Sequence, residues 1–180
     1  MVYLLLGEGF EEGEALVALD MLRRGGVETE MVSLGGATVT SSHGVTVTAD
    51  RLLADAKDDA EMIILPGGLG GVANILANER ALELIRGAHE RGAYVAAICA
   101  APTVLAKLGI LGNRAAVCYP GMENEMGDAD MKLQHPVVVD GHFITGECAG
   151  ASFDFGLKLV EVLKGAEAAE KVKAAIHYRH

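Results

Sequence analysis

Cys99 is the residue whose surroundings point most directly to chemistry. It stands in Ala96-Ala97-Ile98-Cys99-Ala100-Ala101-Pro102, with small residues on both sides, as a crowded turn from strand to helix requires. A thiol on such an elbow is pushed out of the sheet and sits by the positive end of the following helix. Both effects favour the thiolate, the nucleophilic form. The competing reading is a buried cysteine acting as a small hydrophobe. Glu14 comes next, within Gly9-Phe10-Glu11-Glu12-Gly13-Glu14. Three acids in four residues suit a helix N-terminus, and surface solvation accounts for two of them. Glu14, however, precedes Val17, Ala18 and Met21 at i+3, i+4 and i+7, so it lies on an apolar stripe. An acid there points inward, is expected to stay protonated, and could act as partner and proton shuttle for a nearby thiolate.

Pro66-Gly67-Gly68-Leu69-Gly70-Gly71 offers free backbone N–H groups. Gly68 to Ala73 even satisfies G-x-G-x-x-A, but a dinucleotide fingerprint belongs to the first βα turn, and Gly7-Glu8-Gly9 occupies that turn without the third small residue. An oxyanion-binding nest opposite Cys99 is the better reading. His89, His135, His177 and His180 fall in helical, loop or terminal contexts and are expected to be mostly solvated, while His43 and His142 sit in or beside turns. No histidine pair has metal-ligand spacing and the three cysteines are dispersed, so neither a metal nor a cofactor is expected.

These groups need elements to position them. Val2–Leu6 reads as a first strand, followed by a helix from about Glu11 to Arg24 that Gly25-Gly26 ends. Thr29–Leu34 is a second strand, and Thr38–Thr48 alternates as a small hairpin around His43-Gly44. Glu61–Leu65 is a buried strand broken at Pro66; helices follow at Val72–Leu76 and Arg80–Arg91. Tyr94–Ile98 runs straight into Cys99, and Pro102 opens a helix reaching about Gly109. Ala115–Cys118 reads as a short strand, Val137–Val139 and Phe143–Thr145 as a hairpin across Asp140-Gly141, and Ala151–Leu163 and Glu167–Ala175 as helices. Apolar strands alternating with helices predict an α/β, flavodoxin-like three-layer sandwich around a mostly parallel sheet, one domain spanning residues 1–180. In such sheets ligands gather at the carboxyl ends of strands, where Gly7–Phe10, Pro66–Gly71, Cys99–Pro102 and Gly146–Gly150 all fall.

Bulk composition narrows the function classes. Half the residues are hydrophobic (51%), but aromatics make up only 4% and tryptophan is absent, so the core must be aliphatic. A net charge of −10 argues against nucleic acid, whose binders need a basic footprint, and against an anionic membrane surface. Acids follow Leu6 too closely for a signal-peptide core, and no apolar run approaches the roughly 20 residues that span a bilayer. Three scattered cysteines suit reduced thiols. A cytoplasmic protein is expected.

Taken together, these segments resemble the ThiJ/PfpI superfamily, and within it the ThiJ, or DJ-one-like, branch. The resemblance runs nearly end to end, through Glu-Glu-x-Glu at Glu11–Glu14, Arg23-Arg24 before the glycines, Ile64-Leu65-Pro66-Gly67-Gly68, Ala96–Pro102 and Ala151-Ser152-Phe153. It implies a homodimer in which Cys99 is a nucleophile and an oxidisable thiol. Glu14 would hydrogen-bond its sulfur, and Gly68 and Ala100 N–H groups would form an anion hole beside Gly67. Arg24, and His43 from the partner subunit, would border the pocket. Two positions depart from the family pattern. Tyr119 stands before Pro120 where relatives with the strongest hydrolytic or glyoxalase claims often carry histidine. Gly146-Glu147-Cys148-Ala149-Gly150 stands where arginine and Gly-Pro-Gly are usual, replacing a cation with Glu147 and bringing a second thiol, Cys148, to the pocket rim.

The leading expectation is thus a Cys99-centred glyoxalase or deglycase acting on small α-oxoaldehydes or early glycation adducts, with Glu14 moving the proton. The alternative is a non-catalytic redox sensor or chaperone-like stress protein in which Cys99 is oxidised to sulfinate. An older family label is thiazole monophosphate biosynthesis. A peptidase ranks last, for want of a histidine base.

Overall fold

The computed structural model describes residues 1–179; His180 lies outside them. In chain order the elements are β1 (Val2–Leu6), α1 (Glu12–Arg24), β2 (Thr29–Ser33), β3 (Thr38–Thr40), β4 (Thr46–Thr48), β5 (Arg51–Leu52), β6 (Met62–Leu65), α2 (Leu69–Leu76), α3 (Glu79–Glu90), β7 (Tyr94–Ile98), α4 (Pro102–Lys107), β8 (Ala115–Ala116), β9 (Asp130–Met131), β10 (Val137–Asp140), β11 (Phe143–Gly146), α5 (Ser152–Lys164) and α6 (Ala166–Ala175). Short 3-10 turns lie at Leu53–Asp55, Glu123–Glu125 and Ala149–Ala151.

Seven strands form one sheet in the order β10-β11-β7-β6-β1-β2-β5, parallel throughout except for the β10–β11 pair. The strands are apolar on both sides because both sides are covered. Tyr3, Leu5, Ile63 and Leu65 join the core under α2, α3 and α4. Val2, Leu4, Met62 and Ile64 join the one under α1, α5 and α6. The expected three-layer α/β sandwich is the observed architecture. Among the described residues no helix is long and apolar enough to cross a membrane.

Several boundaries differ from expectation, each for a local reason. Glu11 caps α1 rather than belonging to it: its carboxylate accepts the Glu14 N–H at 2.6 Å. The strand expected over Ala115–Cys118 stops at Ala116, where Val117 N–H turns to the Thr145 hydroxyl (3.0 Å). The final hairpin turns at Gly141-His142, because Asp140 still pairs with Phe143. His89, expected to be solvated, is half-buried and hydrogen-bonded to His142.

Chain order reverses beside β1: β2 lies on one side of it and β6 on the other. Loops leaving β1 and β6 therefore part and open a crevice at the carboxyl edge of the sheet.

Candidate functional site

Three loops converge on that crevice. After β6 the chain breaks at Pro66, and Gly67 is wedged between two functional groups. A Cβ at Gly67 would lie 2.6 Å from Glu14 Oε2 and 2.7 Å from Cys99 Cβ, so only glycine lets carboxyl and thiol approach each other. Gly67 is tied twice to the start of α1: its N–H donates to Glu14 Oε2 (2.7 Å) and its carbonyl accepts from Glu11 N–H (3.0 Å). Gly68 follows with φ +85°, a conformation that glycine adopts without penalty.

Cys99 ends β7 with φ +66°, a left-handed conformation that costs a non-glycine residue about 1–2 kcal/mol. Its N–H donates to Gly146 O (3.0 Å) and its carbonyl accepts from Tyr119 N–H (2.8 Å), so neighbouring segments hold the strained elbow in place. Such strain persists where surrounding structure over-determines it, and it concentrates at functional sites.

Glu14 is only 1% exposed. Burial, reinforced by the Glu11 charge, pushes its carboxyl up to about 7; the Cys99 side chain and Gly67 N–H offset this in part. Its second oxygen, Oε1, is buried without a hydrogen-bond partner, and the nearby Cys99 side chain acts on the titration of the carboxyl. The inward acid thus sits where the apolar stripe aimed it. The expected ready thiolate is corrected: burial and the neighbouring Glu14 push the thiol up, and Ala100 and Gly68 N–H groups pull it down only in part. The helix behind it, α4, has six residues and starts three positions later, so its end contributes little. The pair resists carrying two negative charges at once, because the Glu14 charge raises the thiol.

Above the thiol lies a cleft of about 550 Å³ lined by Glu11, Ser42, His43, Gly68, Leu69, Cys99, Ala100 and Tyr119 to Met122. Its walls are largely apolar: Leu69 is 74% exposed at the mouth, and the half-exposed Tyr119 faces it. The structure thus brings Cys99, Glu14, Gly67, Gly68, Ala100 and Tyr119 together. His43 of this chain lines the cleft too. Ser42 N–H donates to Phe10 O (2.8 Å) and folds the β3–β4 hairpin back over α1.

Two expected pocket residues, Arg24 and Cys148, do not line the cleft of their own chain. Arg24 stands at the far end of α1, some ~18 Å along its axis from Glu12 at 1.5 Å per residue, and pairs with Asp20. Cys148 is not among the cleft-lining residues: Glu147 N–H donates to Pro136 O (2.9 Å) and draws that loop towards β10, so neither Glu147 nor Cys148 forms the rim. Sequence reasoning missed Glu11, Leu69 and Met122. A helix-capping acid and an apolar residue amid glycines were the available signals for the first two.

Comparison with known proteins agrees with this geometry. The model of the DJ-1/PfpI family matches residues 1–162. Protein dj-1beta of Drosophila melanogaster is 37% identical over 171 residues, covering 93% of this chain and 91% of the relative. The crystal structure of Drosophila melanogaster DJ-1beta superposes with a TM-score of 0.95 at 34% identity, covering 99% of this chain and 98% of that one. A protein of Pyrococcus abyssi named as a deglycase is 29% identical over 165 residues, covering 91% of this chain and 99% of its own. With its full-length match in sequence and fold, the chain belongs to the DJ-1/PfpI family.

Proposed function

We propose that Cys99 and Glu14 are the catalytic pair of an enzyme acting on small α-oxoaldehydes or the early adducts they form by glycation. The observation that carries this reading is a strained cysteine held against a buried carboxyl at the floor of an apolar cleft. The archaeal relative named as a deglycase supports the substrate class.

The chemistry balances without an external oxidant. Glu14 takes the thiol proton, and the sulfur electron pair forms a C–S bond to the aldehyde carbon. The carbonyl pair moves to oxygen, which the Gly68 and Ala100 N–H groups stabilise, and reprotonation gives a hemithioacetal. Glu14 then removes the proton from that carbon, leaving an enediol, and protonation of the adjacent carbon gives the thioester of a 2-hydroxy acid. Water cleaves the thioester and restores the thiol. One carbon is oxidised as its neighbour is reduced.

Lactate formation from methylglyoxal by the purified protein, beside Cys99→Ser, tests the reading. Lactate from the native protein alone supports it; none, or equal amounts from both proteins, overturns it. The unpartnered Glu14 Oε1 favours a second reading, redox sensing, because a sulfinate oxygen on Cys99 would give a protonated Glu14 its missing partner. That reading expects no lactate but two added oxygens on Cys99 after mild peroxide.

A further inference from the structure

We propose that Glu11, Glu12 and His43 form a binding site for a zinc-class divalent cation at the mouth of the cleft. Spacing along the chain conceals this group, because His43 comes from the β3–β4 turn and the acids from the start of α1. In space one donor atom from each lies within 4.8 Å of the others, and His43 Nδ1 is already 3.0 Å from Glu12 Oε1.

Four observations carry the assignment beyond a chance cluster. First, the ligand set is mixed. An imidazole with two carboxylates suits Zn²⁺ and its neighbours Co²⁺ and Ni²⁺, whereas Ca²⁺ and Mg²⁺ prefer oxygen throughout. Second, the two ligand-bearing segments are clamped together by backbone bonds, Ser42 N–H to Phe10 O and Gly9 N–H to Thr40 O, both 2.8 Å. Third, among the described residues neither Glu11 nor Glu12 pairs with a lysine or arginine, and the His43 imidazole is the basic group beside Glu12. Fourth, the Ser42 hydroxyl donates to Glu12 Oε2 (3.2 Å), an outer partner of the kind that orients a ligating carboxylate.

Glu11 spends one oxygen, Oε2, on the Glu14 N–H, which leaves Oε1 for the cation. Zinc bonds of about 2 Å bring tetrahedral donors to ~3.3 Å from one another. The His43 side chain, 73% exposed, is free to supply much of that closing movement. Three protein donors leave a coordination position open, the arrangement of a site that exchanges ligands rather than a purely structural one. Glu11 and His43 both line the cleft, so the open position faces the space above Cys99.

Thiols also bind zinc, so the test must separate the two. Metal-stripped protein is titrated with ZnCl₂ by calorimetry, as wild type, Cys99→Ser, Glu12→Gln and His43→Ala. Circular dichroism verifies that each variant is folded. The proposal expects one ion per chain, affinity within threefold of wild type in Cys99→Ser, and at least tenfold weaker binding in Glu12→Gln and His43→Ala. It also expects MgCl₂ to bind at least a hundredfold more weakly. Binding lost in Cys99→Ser but kept in His43→Ala would assign the ion to the thiol and overturn the proposal. So would the absence of zinc binding at millimolar concentration. The Cys99→Ser arm makes failure here distinguishable from failure of the proposed catalysis.

Discussion

The two ends of the parallel sheet each bring two titratable side chains together, and they treat them differently. At the carboxyl end Cys99 and Glu14 meet in a buried site, with a left-handed backbone at the cysteine and an orphaned carboxyl oxygen. At the amino end His89 Nδ1 and His142 Nε2 are 2.8 Å apart. Their rings lie 5.4 and 4.5 Å from Phe143, and the Arg114 guanidinium stands 5.3 Å over that same ring. The histidine pair is hydrogen-bonded and packed at a tilt against an aromatic ring, whereas the thiol–carboxyl pair has a left-handed backbone at the cysteine and an unpartnered carboxyl oxygen. An unsatisfied buried group costs stability, so the fold tolerates one only where something else requires it. The contrast supports the proposal that places the chemistry at the carboxyl end.

Substitutions at the carboxyl end should break this contrast most sharply. Cys99→Ser is expected to reduce lactate formation by ~10³-fold or more while far-ultraviolet circular dichroism stays native. Glu14→Gln keeps the shape and the contact with Gly67 N–H but cannot shuttle a proton. Its turnover should fall by about 10²–10⁴-fold, with iodoacetamide still labelling Cys99. If turnover and peroxide oxidation of Cys99 are both unchanged in Glu14→Gln, the pair has no role.

Gly67→Ala tests the packing beneath that chemistry. Its methyl group would be driven into Glu14 and Cys99, an overpacking worth about 1–3 kcal/mol, read as a lower urea midpoint. A native midpoint with full turnover would mean that the loop relaxes and that the close approach is not needed.

Much of this site could be read from the chain, and the part that could not has a common cause. The run of small residues around Cys99 encodes the elbow, and the apolar positions following Glu14 encode its inward direction; both signals are local. The same-chain approach of His43 depends on Ser42 N–H meeting Phe10 O, a contact between distant segments that leaves no pattern in either. The path of Cys148 is set likewise by Glu147 N–H reaching Pro136. Arg51–Leu52 is too short a strand for any periodicity to show. The error over the Cys99 thiol was one of magnitude: burial and a carboxyl at close range outweigh the end of a six-residue helix. The His89–His142 pair joins residues 53 positions apart and was equally invisible.

That pair supplies the smallest expected effect and the finest test of the comparison. Burial, together with the charges of His89 and Arg114, pulls the His142 imidazole below its ordinary value of 6.5. The groups facing it are His89 from α3, Arg114 with its Asp140 partner at 3.8 Å, and the Phe143 ring. As pH falls below about 6.5 the unfolded chain takes up a proton that the folded chain resists, so in this window the unfolded state binds more protons and stability must rise with pH. The contribution is fully present above the unfolded value and is lost as pH falls towards the lowered folded one. His142→Asn removes that titration. Urea midpoints measured across this range should therefore drop less steeply on acidification in the variant than in the native protein, while lactate formation at neutral pH stays within twofold. A parallel loss of turnover in His142→Asn would couple the amino end to the chemistry and erase the division between the two ends. An unchanged stability slope would mean that the histidine pair takes up its proton as readily folded as unfolded.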